Sequence, residues 1–315
     1  MRLRSKTGIV LTAVTAAILA GCAPQSAPAD DGIISVVAST NVYGNIAELV
    51  GGDLIAVTSI IDDPSQDPHS FEADARVQLT LSNADIVIEN GGGYDAFIDK
   101  LLSSLDDSDR IVLSAVELSP LDLENDHDDH AEGEHAGHDQ AAFNEHVWYD
   151  FPTVSAVASG IRDALVKLDP DNAQQYDENT ARLQGDLDLL GQQASALRPA
   201  SELGVAVTEP VALYLLEAVG LHNETPAAFS EAIEEGSEVS AAVLNETLRL
   251  FDEGEASVLV YNDQTTSPET DALKAAAEQA GAPIISVSEL LPPGDDYVSW
   301  MRGILDELES AIAAA

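Results

Sequence analysis

Two histidines stand in short segments that could hold a divalent metal ion. His69 lies in the run DPHSFE, where a proline and a turn restrict the backbone, and His146 lies in NEHVWYD beside an aromatic cluster that could exclude water. Neutral imidazole nitrogens are ligands for zinc and similar transition metals. Taken singly, each histidine is more often an ordinary loop or hydrogen-bonded residue, so the metal hypothesis needs further ligands.

Oxygen ligands are offered at two predicted strand ends in the C-terminal half. The run GVAVTE ends at Glu209, before a proline that suits the first turn of a helix, and this acid could equally complement the helix dipole. The run SVLVYN leads into Asp263, with Asn262 and Gln264 beside it as further oxygen donors. Two imidazoles and one or two such oxygens would make a tetrahedral zinc or manganese site.

The elements that must position these ligands alternate between strands and helices. Helical patterns, such as residues 42–50 and 269–280, separate short β-rich runs. The runs lie at residues 33–39, 54–61, 85–90, 110–115, 204–209, 257–262 and 283–289. Such alternation is typical of parallel sheets built from βαβ units, whose ligands gather at the carboxyl ends of the strands. The sequence therefore predicts an α/β fold of two lobes, each with a mostly parallel sheet flanked by helices.

A long helical region separates the two sets of strands. Residues 152–168 predict one helix, a break follows at Asp169-Pro170, and residues 172–197 predict a second helix. Apolar residues recur in the second helix every seven positions, at Tyr176, Leu183, Leu190 and Leu197. At 1.5 Å per residue this helix would be about 39 Å long. It could therefore be a stiff strut between the lobes, although periodicity alone also fits a helix packed within one lobe.

The first 22 residues have the features of an export signal. Three basic residues precede an apolar run at residues 8–19, which is too short to span a membrane comfortably. Cys22, the single cysteine, directly follows Leu-Ala-Gly, and this resembles the bacterial lipobox, in which the cysteine is lipidated. An ordinary signal peptide with a chance cysteine is the alternative. We expect a signal peptide at residues 1–21, a lipidated tether at 22–32, and neither an internal disulfide nor a thiolate zinc site.

Acidic residues dominate the charge of the chain. There are 56 Asp and Glu against 13 Lys and Arg, which gives a formal net charge of −43. This charge argues against nucleic acid as a partner, because nucleic acid binds basic surfaces. It fits a protein whose field concentrates cations, and it equally fits a solvated surface that maintains solubility.

A low-complexity segment at residues 122–139 is rich in histidine and acid. It lacks the apolar bulk needed to pack a core, so we expect a mobile loop. Its histidines are His127, His130, His135 and His138. They could collect metal ions at low affinity for the main site, or the segment could be a solvated spacer that binds metal incidentally.

Together these residues resemble the metal-binding lipoproteins of zinc and manganese ABC importers, over essentially the whole mature chain. The run DPHSFE resembles the first histidine motif of that family, and NEHVW resembles the second, with Glu145 where the family usually has proline. The ligands that the resemblance implies are His69, His146, Glu209 and, at the fourth position, Asp263, with Asn262 or Gln264 as alternatives. It also implies that a rigid helix joins the two lobes.

The resemblance implies a function in metal uptake. The histidine-rich segment favours zinc, whereas Glu209, a harder oxygen ligand, favours manganese; we predict zinc, with manganese as the alternative cargo. The implied protein is a monomer, anchored to the outer face of the cell membrane through Cys22, that delivers the ion to an importer permease and its ATPase.

Other classes of protein give competing interpretations. A secreted metal-dependent hydrolase could use the same ligands, but the sequence has neither a His-Glu-x-x-His helix nor a Gly-x-Ser-x-Gly elbow, so we predict that the chain is not an enzyme. A surface adhesin has no sequence feature of its own here. The predicted organisation is an N-terminal lobe at residues 33–151, linking helices at 152–199 and a C-terminal lobe at 200–315.

Overall fold

The computed structural model of this chain describes residues 32–105, 110–121 and 143–315. Within them, Ile33–Ala315 is one compact unit. Several predicted features lie outside the described residues: the signal peptide, Cys22, nearly all of the tether, the segment 122–139 and its histidines His127, His130, His135 and His138.

The N-terminal lobe is built around a four-stranded parallel sheet. Its strands are β1 (Ile34–Thr40), β2 (Ile55–Ile61), β3 (Ile86–Glu89) and β4 (Ile111–Ser114), in the spatial order β2-β1-β3-β4. The helices around it are α1 (Asn41–Gly51), α2 (Ala75–Ser82), α3 (Phe97–Leu102) and α4 (Ala115–Leu118). The strands β1 and β3 are almost wholly buried because helices cover both faces, which explains their continuous apolar runs.

Two consecutive helices follow the N-terminal lobe. The helix α5 (Phe151–Leu168) begins where the Asp150 carboxylate accepts a hydrogen bond from the Thr153 backbone N–H at 2.9 Å. A 3₁₀ turn, Pro170–Asn172, interrupts the chain at the predicted break. The helix α6 (Ala173–Ala196) has 24 residues and is about 36 Å long.

The C-terminal lobe repeats the architecture with a second four-stranded parallel sheet. Its strands are β5 (Gly204–Val207), β6 (His222–Asn223), β7 (Val258–Asn262) and β8 (Ile284–Val287), in the order β6-β5-β7-β8. Its helices are α7 (Leu213–Val219), α8 (Ala227–Glu234), α9 (Ala241–Asp252), α10 (Pro268–Ala280) and α11 (Tyr297–Ala314). The short strand β6 and the helices α8 and α11 have no counterpart in the sequence prediction.

The long helix α6 joins the lobes. It packs against α1 and α5 on one side of the molecule and against α7 and α11 on the other. The predicted stripe faces these helices, with Tyr176, Leu183 and Leu190 all buried. The predicted fold class is therefore confirmed: two parallel sheets flanked by helices, linked by a long helix.

Direct contacts also fasten the lobes to each other. The Tyr297 hydroxyl of α11 donates to the Trp148 carbonyl at 2.6 Å, and the Tyr149 hydroxyl donates to the Ser288 carbonyl at 2.8 Å. Trp148 and Trp300 are both buried. One hydrophobic cluster contains residues of both lobes, so the cleft between them has a stiff frame. Among the described helices, none is long and apolar enough to cross a membrane.

Candidate metal centre

His69 is held in the loop that follows β2. The Asp67 carboxylate accepts a hydrogen bond from the His69 backbone N–H at 2.9 Å, which folds the DPH segment into a local turn. The imidazole packs edge-on against Tyr94, with ring centroids 4.9 Å apart. Its side chain is 23% exposed, so the ring is fixed on one side and open to the cleft on the other.

His146 is fully buried in the N-terminal lobe, and its tautomer is set by Asn144. The Asn144 side-chain amide donates through Nδ2 to the Pro210 carbonyl at 2.9 Å, which turns its Oδ1 toward the imidazole. The His146 Nδ1 lies 2.7 Å from that oxygen and must carry the hydrogen, because Oδ1 can only accept. The lone pair of Nε2 is therefore directed into the cleft, ready for a cation.

The C-terminal lobe brings two buried carboxylates to the ends of β5 and β8, the strands on either side of β7. Glu209 follows β5 and Glu289 follows β8, and each residue is at most 5% exposed. Between them, the Asn262 side chain at the end of β7 donates to the Glu209 carboxylate and, at 3.1 Å, to Glu289 Oε1. One amide thus holds both carboxylates at the carboxyl edge of the sheet, where ligands of parallel sheets gather.

The two lobes meet in a tight group of ligand atoms. One ligand atom from each of His69, His146 and Glu289 lies within 4.8 Å of the others. His69 Nε2 is 3.9 Å from Glu289 Oε2. Ligand atoms on a tetrahedral zinc ion, bound at about 2.0–2.1 Å, lie about 3.3 Å apart. A shift of well under an ångström would therefore bring this pair to coordination distance.

Two further carboxylates, which the sequence analysis did not assign as ligands, border the group. Glu234, the last residue of α8, has its Oε1 3.3 Å from His146 Nε2 and 3.9 Å from His69 Nε2. Glu145 Oε1 is 3.9 Å from His69 Nδ1. All four carboxylates and His69 line a cleft of about 1040 Å³ between the lobes.

Burial and mutual repulsion shift the proton affinities of these groups. Burial raises the pKa of Glu209 to about 7, and the nearby Asp67 adds to the shift. Burial and neighbouring acids raise the pKa of Glu289 to about 8 and that of Glu234 to about 9. Burial, with a smaller contribution from His69, lowers the pKa of His146 well below its usual value. At neutral pH the metal-free site therefore has a neutral His146 imidazole, largely protonated Glu289 and Glu234 carboxyls and a partly protonated Glu209, and a cation must displace those protons.

The structure places the predicted oxygen donors in three different environments. Glu209 lines the cleft, and the Asn262 side-chain amide donates hydrogen bonds to the carboxylates of both Glu209 and Glu289. The Gln264 Oε1 accepts from the Glu289 and Leu290 backbone N–H groups at 2.6 and 2.9 Å, so it orients the chain at Glu289. Asp263 is exposed and lines a separate cavity beside Trp300, because strand alternation turns it away from its neighbour Asn262.

Glu289 and Glu234 are the carboxylates that sequence reasoning missed. Glu289 had a usable signal, because it closes the apolar run PIISVSE as Glu209 closes GVAVTE. Glu234 had a weaker signal, an acid at the end of a short helix, where basic residues are preferred.

Comparison with known proteins assigns this chain to a protein family. The family model of the zinc-uptake complex component A, periplasmic (ZnuA), matches residues 36–311. The manganese-binding lipoprotein MntA of Halalkalibacterium halodurans is 28% identical over 66% of this chain and 65% of its own length. The zinc-binding lipoprotein AdcA of Streptococcus pneumoniae is 24% identical over 96% of this chain and 60% of its own length. This chain thus spans less than two thirds of either relative.

Solved structures share the fold. The periplasmic zinc-binding protein TroA from Treponema pallidum superposes with a TM-score of 0.72 at 20% identity, covering 89% of this chain and 99% of that one. At this identity the likeness concerns the architecture of two lobes and a long helix. The family match extends over nearly all of the described residues, and it shows that this chain belongs to the ZnuA family of zinc-uptake components.

Proposed function

We propose that this protein captures one divalent transition metal ion in the cleft through His69, His146, Glu209 and Glu289, and delivers it to an ABC importer. The observation that supports this most directly is the convergence of His69, His146 and Glu289 ligand atoms from both lobes. Glu289 takes the fourth position in this proposal, in place of Asp263. Members of the ZnuA family are substrate-binding proteins and not enzymes, which removes the hydrolase alternative.

Zinc is the first candidate cargo. Among the four proposed ligands, the three whose ligand atoms all lie within 4.8 Å of one another are two imidazoles and one carboxylate. Zinc binds such a set well in a tetrahedral arrangement. The histidines of the segment 122–139 favour the same metal.

Manganese is the second candidate, and a specific observation favours it. Glu209 and Glu234 stand beside the first three ligands, so the cleft could supply several hard oxygen donors. Manganese prefers oxygen donors and higher coordination numbers than zinc. Relatives that are named for each metal also match this chain.

The location and partners follow from the N-terminal features and the charge. Lipidation at Cys22 would anchor the protein to the outer face of the cell membrane, with residues 22–32 as a tether. The field of a chain with net charge −43 would draw cations toward the cleft. A monomer would then present the loaded cleft to the permease, whose ATPase drives import.

Competitive metal titration tests the binding step. The lipoprotein, purified in detergent, is loaded with equal zinc and manganese against a chelator, and bound metal is counted by mass spectrometry. We expect one tightly bound zinc ion per chain, and its loss in His69→Ala. Preferential manganese would change the cargo within the same proposal, whereas no tight metal in the unmodified protein would overturn it.

Metal uptake tests the delivery step. Cells that lack this protein should take up less radioactive zinc at low external concentration, and the unmodified gene should restore uptake. A gene carrying Cys22→Ala should restore it poorly, because the released protein is no longer held near the permease. Unchanged zinc and manganese uptake in the deletion strain would contradict the transport role.

A further inference from the structure

We propose that Glu234 is an additional direct ligand of the captured ion, which α8 of the C-terminal lobe supplies. The inference rests on the proposed function, because it concerns the same ion. It adds one oxygen donor to the set formed by His69, His146, Glu209 and Glu289. The resulting shell would hold two nitrogens and three oxygens.

One oxygen of the Glu234 carboxylate lies close to both imidazoles. Its Oε1 is 3.3 Å from His146 Nε2 and 3.9 Å from His69 Nε2. The first separation equals the distance of about 3.3 Å that two ligand atoms have on one tetrahedral zinc ion. Glu289 Oε2 also lies 3.9 Å from His69 Nε2, so Glu234 is at least as close to the imidazoles as a ligand of the proposed set.

Unsatisfied hydrogen-bonding atoms of His146 and Glu234 leave a place for a cation between them. Within the described part of the chain, His146 Nε2 and Glu234 Oε1 are both buried and neither has a hydrogen-bond partner. His146 itself is fully buried, and Asn144 fixes the hydrogen on its Nδ1, so its Nε2 can only accept. Once Glu234 is ionised, two buried acceptors face each other, which is costly because both are desolvated and they repel. An ion between them satisfies both.

The position of Glu234 in its helix also favours a bound cation. It is the last residue of α8, where the helix end has a partial negative charge that disfavours acids. Glu231 and Glu235 add two more acids to that end. Phe229 and Ile233 anchor α8 in the core of the C-terminal lobe, so the carboxylate cannot simply turn away with its helix. A bound cation would compensate this concentration of negative charge.

Glu234 would make the cleft close around the ion from a second direction. Both imidazoles belong to the N-terminal lobe, whereas Glu209 and Glu289 approach from strand ends of the C-terminal lobe. Glu234 also belongs to the C-terminal lobe, but it approaches from the end of the helix α8 and lies nearest to His146. Its ligation would therefore raise the coordination number and tie α8 to the N-terminal lobe when metal is bound.

The test uses three variants of the full-length lipoprotein. Glu234→Gln removes the charge but keeps the size, and Glu234→Asp keeps the charge but withdraws the carboxylate by one methylene. Glu231→Gln, one turn earlier on α8, removes the same charge from a residue outside the ligand set. Zinc affinity is measured by competition with a chromophoric chelator, and the visible absorption of the cobalt-substituted proteins reports the coordination number.

A direct ligand gives a distinctive pattern. Both Glu234 variants should lose affinity by at least about 10-fold, because even an outer partner of a metal ligand is worth about 10–100-fold, and Glu231→Gln should stay within about twofold. The cobalt band should become more intense in Glu234→Gln, as expected when a five-coordinate ion loses a ligand and becomes tetrahedral.

Other patterns would overturn the inference. Equal losses in Glu231→Gln and Glu234→Gln, with full affinity in Glu234→Asp, would mean that the residue acts only through its charge. Unchanged affinity and an unchanged cobalt spectrum in both Glu234 variants would show that it does not touch the ion. Absence of tight metal in the unmodified protein would instead refute the proposed function, so the two failures can be told apart.

Discussion

The two imidazoles of the proposed metal site come from the N-terminal wall of the cleft, whereas the carboxylates proposed as ligands come from the C-terminal wall. His146 is immobilised before any ion arrives, by full burial, by its hydrogen bond to Asn144 and by edge contact with Trp148 at a centroid distance of 5.0 Å. The carboxylates of Glu209 and Glu289 are held close together through one Asn262 side chain, at a cost of mutual repulsion.

The difference indicates a division of labour between the lobes. The imidazole wall is preorganised, so it can fix where the ion binds with little rearrangement. The carboxylate wall is electrostatically incomplete without a cation, so its charge state responds to binding and to pH. Removing an imidazole from the first wall should therefore lower affinity most, and changes in the carboxylates of the second should lower affinity less and also alter its dependence on pH.

Removing an imidazole should have the largest effect. His146→Ala and His69→Ala should each lower zinc affinity by more than about 100-fold, because even an outer partner of a metal ligand can be worth 10–100-fold. His222→Ala is the control, since His222 lies exposed on β6. Chelator competition gives the constants, and equal effects at His222 and His146 would refute the ligand assignment.

Releasing His146 from its support should have the next largest effect. Asn144→Ala removes the acceptor that holds the hydrogen on Nδ1 and also the link to the Pro210 carbonyl. Zinc affinity should fall by about 10–100-fold, with the metal still bound one to one. Asn245→Ala, on the exposed surface of α9, should leave it unchanged. Wild-type affinity in Asn144→Ala would mean that burial alone orients the imidazole.

The preorganised wall was also the easier one to predict from sequence. His69 and His146 stand in distinctive local motifs, and the apolar runs of the strands and of α6 gave the two-lobed fold. The fourth position was harder, because Asp263 and Glu289 both follow apolar runs. The choice depends on side-chain direction at the end of each strand, which local sequence does not fix.

Glu234 illustrates a different limit. The helix α8 has only eight residues, and nothing in its sequence shows that its end faces His146, a residue of the other lobe. That juxtaposition arises from tertiary packing of Phe229 and Ile233 into the core of the C-terminal lobe. Contacts between residues so distant in the chain cannot be read from a periodic pattern.

The carboxylate wall should make the metal-free protein less stable as pH rises from 7 to 9. The pKa of Glu289 is about 8 and that of Glu234 about 9 in the folded chain, both above their unfolded values near 4.5. The folded state therefore holds more protons, and its stabilisation is lost as pH rises through the folded pKa values. We expect the metal-free Tm to fall on the order of 5 °C. His146 adds little in this window, because its lowered pKa costs stability only in acid.

Thermal unfolding with and without zinc checks this expectation. Glu289→Gln should flatten the fall, because the amide does not titrate, whereas Glu231→Gln should preserve it. The rise in Tm on adding zinc should be greater at pH 9 than at pH 7, because fewer protons must leave the site. If the metal-free Tm falls with pH as steeply in Glu289→Gln as in the unmodified protein, other groups cause the effect.

Deleting residues 126–139 should have the smallest effect on the cleft. These residues lie outside those that the structure describes, and none of the ligands proposed for the cleft is among them. Zinc affinity of the tight site should stay within about twofold, while the total zinc bound at high concentration should fall, because the four histidines can share only loosely held ions. Mass spectrometry at low and high zinc separates the two populations. A large loss of tight affinity would mean that the segment contributes to the cleft, and the division of labour between the two walls would then have to include a third region.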